Sequence, residues 1–164
     1  MLLAGKVLKY GDDVNTDLII AGKYTKTLDF GALAMHAMED LDPNFKQKLK
    51  KGDFVVGGEN FGCGSSREQA PVALKVAGVG CVVAKSFARI FYRNAVNIGL
   101  PLIECNTDKI ADGDRLVCDL GGRRLTNVTQ GTEVPIEPLP EVMIQILGEG
   151  GLVPYMKNHK KYEL

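Results

Sequence analysis

Tryptophan is absent from the 164 residues, histidine occurs only at His36 and His159, and cysteine occurs four times. Neither histidine has a partner at metal-ligand spacing, and Cys63, Cys81, Cys105 and Cys118 form no C-x-x-C pair. A catalytic metal held by this chain alone is therefore not expected. An excess of either charge is missing as well, since 20 Lys+Arg stand against 20 Asp+Glu. That balance argues against a general nucleic-acid binder or a membrane-surface protein, both of which carry basic excess. No apolar run approaches the ~20 residues of a transmembrane helix. The opening Met1-Leu2-Leu3-Ala4-Gly5-Lys6 is too short for a signal peptide and has its lysine on the wrong side. The expectation is a soluble cytoplasmic protein whose thiols are free. Cys81, Cys105 and Cys118 lie in or beside apolar runs and are expected to fill the core as small hydrophobes.

What is present is ordinary globular composition, 45% hydrophobic and 24% charged. The length suits one domain over residues 1–164, and a chain of this size buries roughly 68–70% of its unfolded surface. Nineteen glycines divide it into short elements. Strands are expected at 5–10, 53–57, 80–84 and 102–105, and helices at 30–38, 44–51, 67–76 and 86–97. In the 86–97 segment Phe87, Ile90, Phe91 and Ala95 follow the helical period, and Ser86 is a good N-cap. Strand–helix–strand–helix–strand implies right-handed crossovers and an α/β fold on a parallel sheet. Segments 115–120 and 123–126 flank Gly121-Gly122 as a hairpin, and 132–136 is one more strand. Pro140 opens a last helix whose core face is Val142, Met143, Ile146 and Leu147, with Gly148 as its stop. The tail from Gly151, basic at Lys157, Lys160 and Lys161, is expected to fray.

Three segments could carry chemistry. A strand that stops at Gly57-Gly58-Glu59-Asn60-Phe61-Gly62-Cys63-Gly64-Ser65-Ser66-Arg67 and enters a helix presents backbone N–H groups and the positive end of a helix dipole. Two hydroxyls and a guanidinium there suit a carboxylate or phosphate, which arginine grips with two parallel hydrogen bonds. Ser65-x-x-Glu68 equally fits a capping box, in which the serines merely start the helix. Pro71 belongs in a first helical turn, which places the start later and frees them. The loop thus reads as an anion or substrate site or as a capped turn; it is neither a Walker loop nor a dinucleotide fingerprint. Asp13-Val14-Asn15-Thr16-Asp17 imitates a calcium loop but has Leu18 and Tyr24 where glycine and glutamate belong, so its polar residues read as turn formers. Tyr24-Thr25-Lys26-Thr27 is a polar tip with one cation, on composition a solvated loop. His36 is expected as a half-buried helix residue and Arg89 as a structural one.

Gly58 to Ala70, with Ala84-Lys85-Ser86-Phe87-Ala88-Arg89-Ile90-Phe91 followed by Asn94 and Gly99, resembles the signature of the aconitase-family swivelling domain. Asp12 to Asp17 is similar to that family's N-terminal motif. Length and motif order resemble the free-standing small subunits of the isopropylmalate dehydratase and homoaconitase group. The resemblance implies a swivelling β/β/α three-layer domain. It also implies a hetero-oligomeric hydro-lyase, active only with a separate large subunit that carries a [4Fe-4S] cluster; no cofactor is expected in this chain. The implied substrate is a small hydroxy-dicarboxylate, such as 2-isopropylmalate of leucine biosynthesis, from which water is removed and re-added with the hydroxyl on the neighbouring carbon. It assigns Ser65 as the base, Ser66 as a hydrogen-bond donor to substrate and Arg67 as the carboxylate holder. The loop Tyr24, Thr25, Lys26 and Thr27 falls where substrate choice is made. Related loops that accept an extra carboxylate carry an arginine where Lys26 stands. Homoaconitase or another (2R)-hydroxyacid dehydratase is the near alternative. A non-catalytic anion-binding or partner-regulating module is the alternative of another class.

Overall fold

In the computed structural model, which describes residues 1–159, one strand serves two sheets. The first half of β1 (Leu2–Lys9) pairs antiparallel with β5 (Arg115–Asp119), and its last three residues, Val7 to Lys9, pair in parallel with β2 (Phe54–Val56). Beyond β2 the sheet continues through β3 (Cys81–Ala84) and β4 (Leu102–Glu104), all parallel. Beyond β5 it continues through β6 (Arg124–Asn127) and β7 (Thr132–Val134), all antiparallel. The strand order is β4-β3-β2-β1-β5-β6-β7.

Period-two alternation sorts the parallel strands between two cores. Leu8, Val55, Val82 and Leu102 face helices α1 (Thr16–Ile19), α2 (Phe30–Met35), α3 (Phe45–Lys48), α4 (Gln69–Ala77) and α5 (Arg89–Asn97). Val7, Phe54, Val56, Val83 and Ile103 face Leu116, Cys118 and Leu125 of the antiparallel strands. Burial on both faces is why β2 and β3 read as unbroken apolar runs, and each such side chain contributes about 1.5–3 kcal/mol of transfer free energy. Helices, parallel sheet and antiparallel sheet make the β/β/α layering that the sequence resemblance implied. Helices α6 (Glu141–Gly148) and α7 (Leu152–Asn158) close the side next to α5. Among the described residues no helix is long and apolar enough to cross a membrane.

Close backbone approach fixes the turn that leads into β2. A Cβ on Gly5 or on Gly80 would strike the carbonyl oxygen of Gly52, and one on Gly5 would also lie 2.8 Å from the Asp53 Cα.

Asn15 caps α1, its Oδ1 accepting from Leu18 N at 2.9 Å. Several expectations are corrected. Helix α5 starts at Arg89, three residues late, because Lys85 to Ala88 is spent pairing with the glycine-rich loop. Ser86 is consequently no N-cap; its Oγ accepts from Asn60 N at 2.8 Å and donates to Glu59 Oε2 at 2.8 Å. Ile90 and Val142, placed in the core by their period, are 52% and 48% exposed. The segment from Gly151 does not fray but forms α7; Lys160 and Lys161 lie outside the described residues. His36 is half-buried, as expected, at the residue that closes α2.

Candidate functional site

The glycine-rich loop between β2 and α4 is held from both sides by backbone hydrogen bonds. On one side Gly58 N donates to Gly11 O (2.9 Å), Gly62 N to Val14 O (2.8 Å) and Thr16 N to Cys63 O (2.9 Å). On the other, Phe61 N donates to Ser86 O (3.0 Å) and Ala88 N to Phe61 O (2.9 Å). Phe61 is fully buried against Phe87 and Phe91, which pins the loop at its middle. Gly62 has φ +81°, and a Cβ there would run into the Phe91 ring, so only glycine fits. Past that pin the chain rises into solvent, and Ser65 and Ser66 are exposed. The Ser65 carbonyl accepts from Thr16 Oγ1 at 2.8 Å, which fixes the serine backbone while its hydroxyl stays open.

The capping-box reading fails. Helix α4 starts at Gln69 with no side-chain cap, and Pro71 sits in its first turn, as the free-serine reading required. The serines instead line a hollow of about 300 Å³ together with Thr16, Arg67 and the first turn of α5. The helix start that lines the hollow with the serines is therefore that of α5, not of the helix that follows them in sequence. Ala88 at its N-cap makes no side-chain bond to that turn, so its N–H groups remain available to an anion. Arg89, Ile90 and Asn94 also line the hollow. Sequence reasoning gave Arg89 a structural part and left Thr16 and Asn94 unassigned, because only the pairing of 11–17 and 85–88 with the loop brings them there. The signal available was the cluster of hydrogen-bonding side chains in the two flanking motifs.

Arg67 is one-fifth exposed and pairs with the Asp17 carboxylate, while its Nη1 donates to Ile20 O at 3.1 Å. Its guanidinium lies against Gly22, where a Cβ would stand 3.2 Å from Nη2. The expected specificity loop, Tyr24 to Thr27, starts two residues after that contact. Gly22 to Tyr24 form a 3₁₀ turn; Thr25 Oγ1 donates to Gly22 O (2.8 Å), and Thr25 O accepts from Gln69 Nε2 (3.3 Å). Tyr24 stacks on His36, Lys26 is exposed, and Thr27 Oγ1 accepts from Asp29 N at 3.0 Å. Tyr24, Thr25 and Arg67 are thus brought into one cluster with Gln69. Tyr24, Thr25, Lys26 and Thr27 all stand outside the residues that line the hollow.

Among the described residues no three of histidine, cysteine, aspartate and glutamate come together as a metal site. Cys63 is partly exposed beside the serines, while Cys81, Cys105 and Cys118 are buried in the other core. This chain's own residues do not fit an iron–sulfur cluster, which needs a converging thiolate set.

The aconitase C-terminal domain description matches residues 22–107, just over half of the chain. The chain is 54% identical over 160 residues to "3-isopropylmalate dehydratase small subunit 2" of Archaeoglobus fulgidus, covering 97% of each. It is 52% identical to a 3-isopropylmalate dehydratase small subunit of Caldanaerobacter subterraneus subsp. tengcongensis, covering 95% of this chain and 98% of that one. The crystal structure of a 3-isopropylmalate dehydratase from Methanocaldococcus jannaschii superposes with a TM-score of 0.93 at 49% identity, covering 98% of this chain and 96% of that one. With that structural likeness and such identity over nearly its whole length, the chain belongs to the aconitase C-terminal domain family, among the 3-isopropylmalate dehydratase small subunits.

Proposed function

We propose that this chain is the small subunit of a 3-isopropylmalate dehydratase, the hydro-lyase of leucine biosynthesis that interconverts 2-isopropylmalate and 3-isopropylmalate by dehydration and rehydration. The observation that carries this reading is the open hollow that Ser65, Ser66 and Arg67 line together with the uncapped start of α5 at Arg89. A dicarboxylate dianion is matched there by arginine, hydroxyl and free backbone donors. Ile90, exposed at the same hollow, supplies the apolar wall that an isopropyl group requires.

Within this chain the roles divide by chemistry. Arg67 holds a substrate carboxylate with the N–H groups that Asp17 and Ile20 leave free. Ser66 donates a hydrogen bond to substrate. Ser65 removes the proton from the carbon next to a carboxylate; the C–H electron pair becomes the new double bond as hydroxide leaves the neighbouring carbon, where a Lewis acid on the partner subunit would stabilise it until a second proton releases it as water. A serine hydroxyl is a base only when ionised, and the α5 N-terminus with Arg67 and Arg89 offsets the cost of that charge. The turn bearing Tyr24, Thr25, Lys26 and Thr27 adjoins Arg67 and bears on substrate choice. The hollow opens to solvent, so the large subunit closes it; the [4Fe-4S] cluster belongs, on this reading, to that subunit.

The test is Ser65→Ala in the enzyme assembled with its large subunit. Turnover falls by several orders of magnitude while the subunits still co-elute in gel filtration. Retained turnover would mean a non-catalytic module. A substrate panel that strongly favours homoaconitate would overturn the choice of isopropylmalate.

A further inference from the structure

We propose that His36 is a positioning residue for the carboxylate grip of Arg67, acting through Tyr24; the proposal rests on the reading of Arg67 given above. The His36 and Tyr24 rings stack face to face, with centroids 3.8 Å apart and planes inclined by 2°. His36 Nδ1 lies 3.0 Å from Glu39 Oε2, which fixes the imidazole in its plane. The base of the stack is itself anchored: two residues on, Met38 N donates to Ile19 O at 2.8 Å, tying the end of α2 to α1.

The far side of the stack is the back of the site. Tyr24 ends the 3₁₀ turn whose first residue, Gly22, lies against the Arg67 guanidinium. Three of the turn's bonds are internal, from Tyr24 N to Ala21 O, from Thr25 N to Gly22 O and from Thr25 Oγ1 to Gly22 O. At its Tyr24–Thr25 end the turn is held by the His36 stack, by packing of Tyr24 on the core and by the Gln69–Thr25 bond, and at its Gly22 end it meets Arg67. Removing the imidazole therefore takes away one of the anchors at the Tyr24–Thr25 end, and the wall behind Arg67 is held less firmly. A bidentate grip depends on the orientation of the guanidinium plane, so it loosens. Ser65 is unaffected, because its backbone hangs on Thr16 and not on this turn.

The experiment is steady-state kinetics of the assembled enzyme with 3-isopropylmalate, for His36→Ala, His36→Phe and Arg67→Lys. An aromatic stack of ordinary strength corresponds to a change of about five-fold. His36→Ala is expected to raise KM by about that factor with kcat within about two-fold, and His36→Phe to restore KM. Tyr24→Leu reaches the same contact from the other ring, and combined with His36→Ala it adds little more, since both remove one interaction. A lowered melting temperature with unchanged KM in His36→Ala, beside a raised KM in Arg67→Lys, overturns the proposal and leaves the reading of Arg67 standing. An unchanged KM in Arg67→Lys overturns that reading and this proposal with it.

Discussion

Gly62 and Gly131 separate two reasons for glycine at a positive φ. Both have left-handed backbones, at +81° and +67°, but a Cβ on Gly62 would enter the Phe91 ring while Gly131 has open space around it. Gly131→Ala pays only the left-handed penalty, about 1–2 kcal/mol. Gly62→Ala adds an overpacked aromatic core and is expected to cost about 2–4 kcal/mol. Denaturant midpoints of the two variants check the difference, and equal shifts would mean that Phe91 yields freely. The thiols divide in a similar way. Burial pushes the Cys105 thiol up to about 12 and the Cys118 thiol up to about 11, and holds Cys81 well above its ordinary value. Since the thiolate is the reactive form, only the partly exposed Cys63 should react promptly with a disulfide reagent. Titration should count one thiol in the native protein and four after denaturation; more than one prompt reaction would contradict the packing of the second core.

At the level of elements, the turn that feeds β5 is organised by a buried carboxylate. Asp114 Oδ2 accepts from Asn127 Nδ2 (2.8 Å) on β6, from Ala111 N (2.9 Å) and from Gln130 Nε2 (2.7 Å). These bonds, with Asn127 foremost, hold its carboxyl below the ordinary carboxylate range. The ionised form is thus favoured in the folded state. Its contribution is complete above the unfolded value near pH 4 and is lost as the pH falls through the lower folded value. Unfolding free energies measured between pH 6 and pH 3 should therefore drop more steeply for the native chain than for Asp114→Asn. Parallel slopes would remove Asp114 from the acid response. The same scale shows what a sequence discloses. Strand β2, the loop after it and α4 were legible because apolar runs, glycines and Pro71 act on their own neighbours. The start of α5 was not, since the Phe61–Phe87 pairing that delays it joins residues from separate loops. Ile90 was misplaced for a related reason: helical period marks an apolar side of a helix but not whether that side meets a core or a hollow.

For the whole molecule, the residues that were legible are those one motif carries, and the ones missed are those the topology imports. Ser65, Ser66 and Arg67 stand in a single run. Asp17, which engages Arg67, and Arg89, which joins the hollow, come from the chain ends of other crossovers. Parallel strands gather their outgoing loops at one end of the sheet, so a site there is assembled from segments far apart in sequence. The Gly52 carbonyl shows the same property without any chemistry attached. Gly5 and Gly80 each leave room for that one oxygen, yet strand β2 stands between their strands. A substitution at either must displace a single turn, and the second then meets a turn already moved. Gly5→Ala and Gly80→Ala should accordingly fail to add, with a coupling of about 0.5–3 kcal/mol in a double-mutant cycle. Two glycines 75 positions apart, with a strand between them, would then behave in variation as one site.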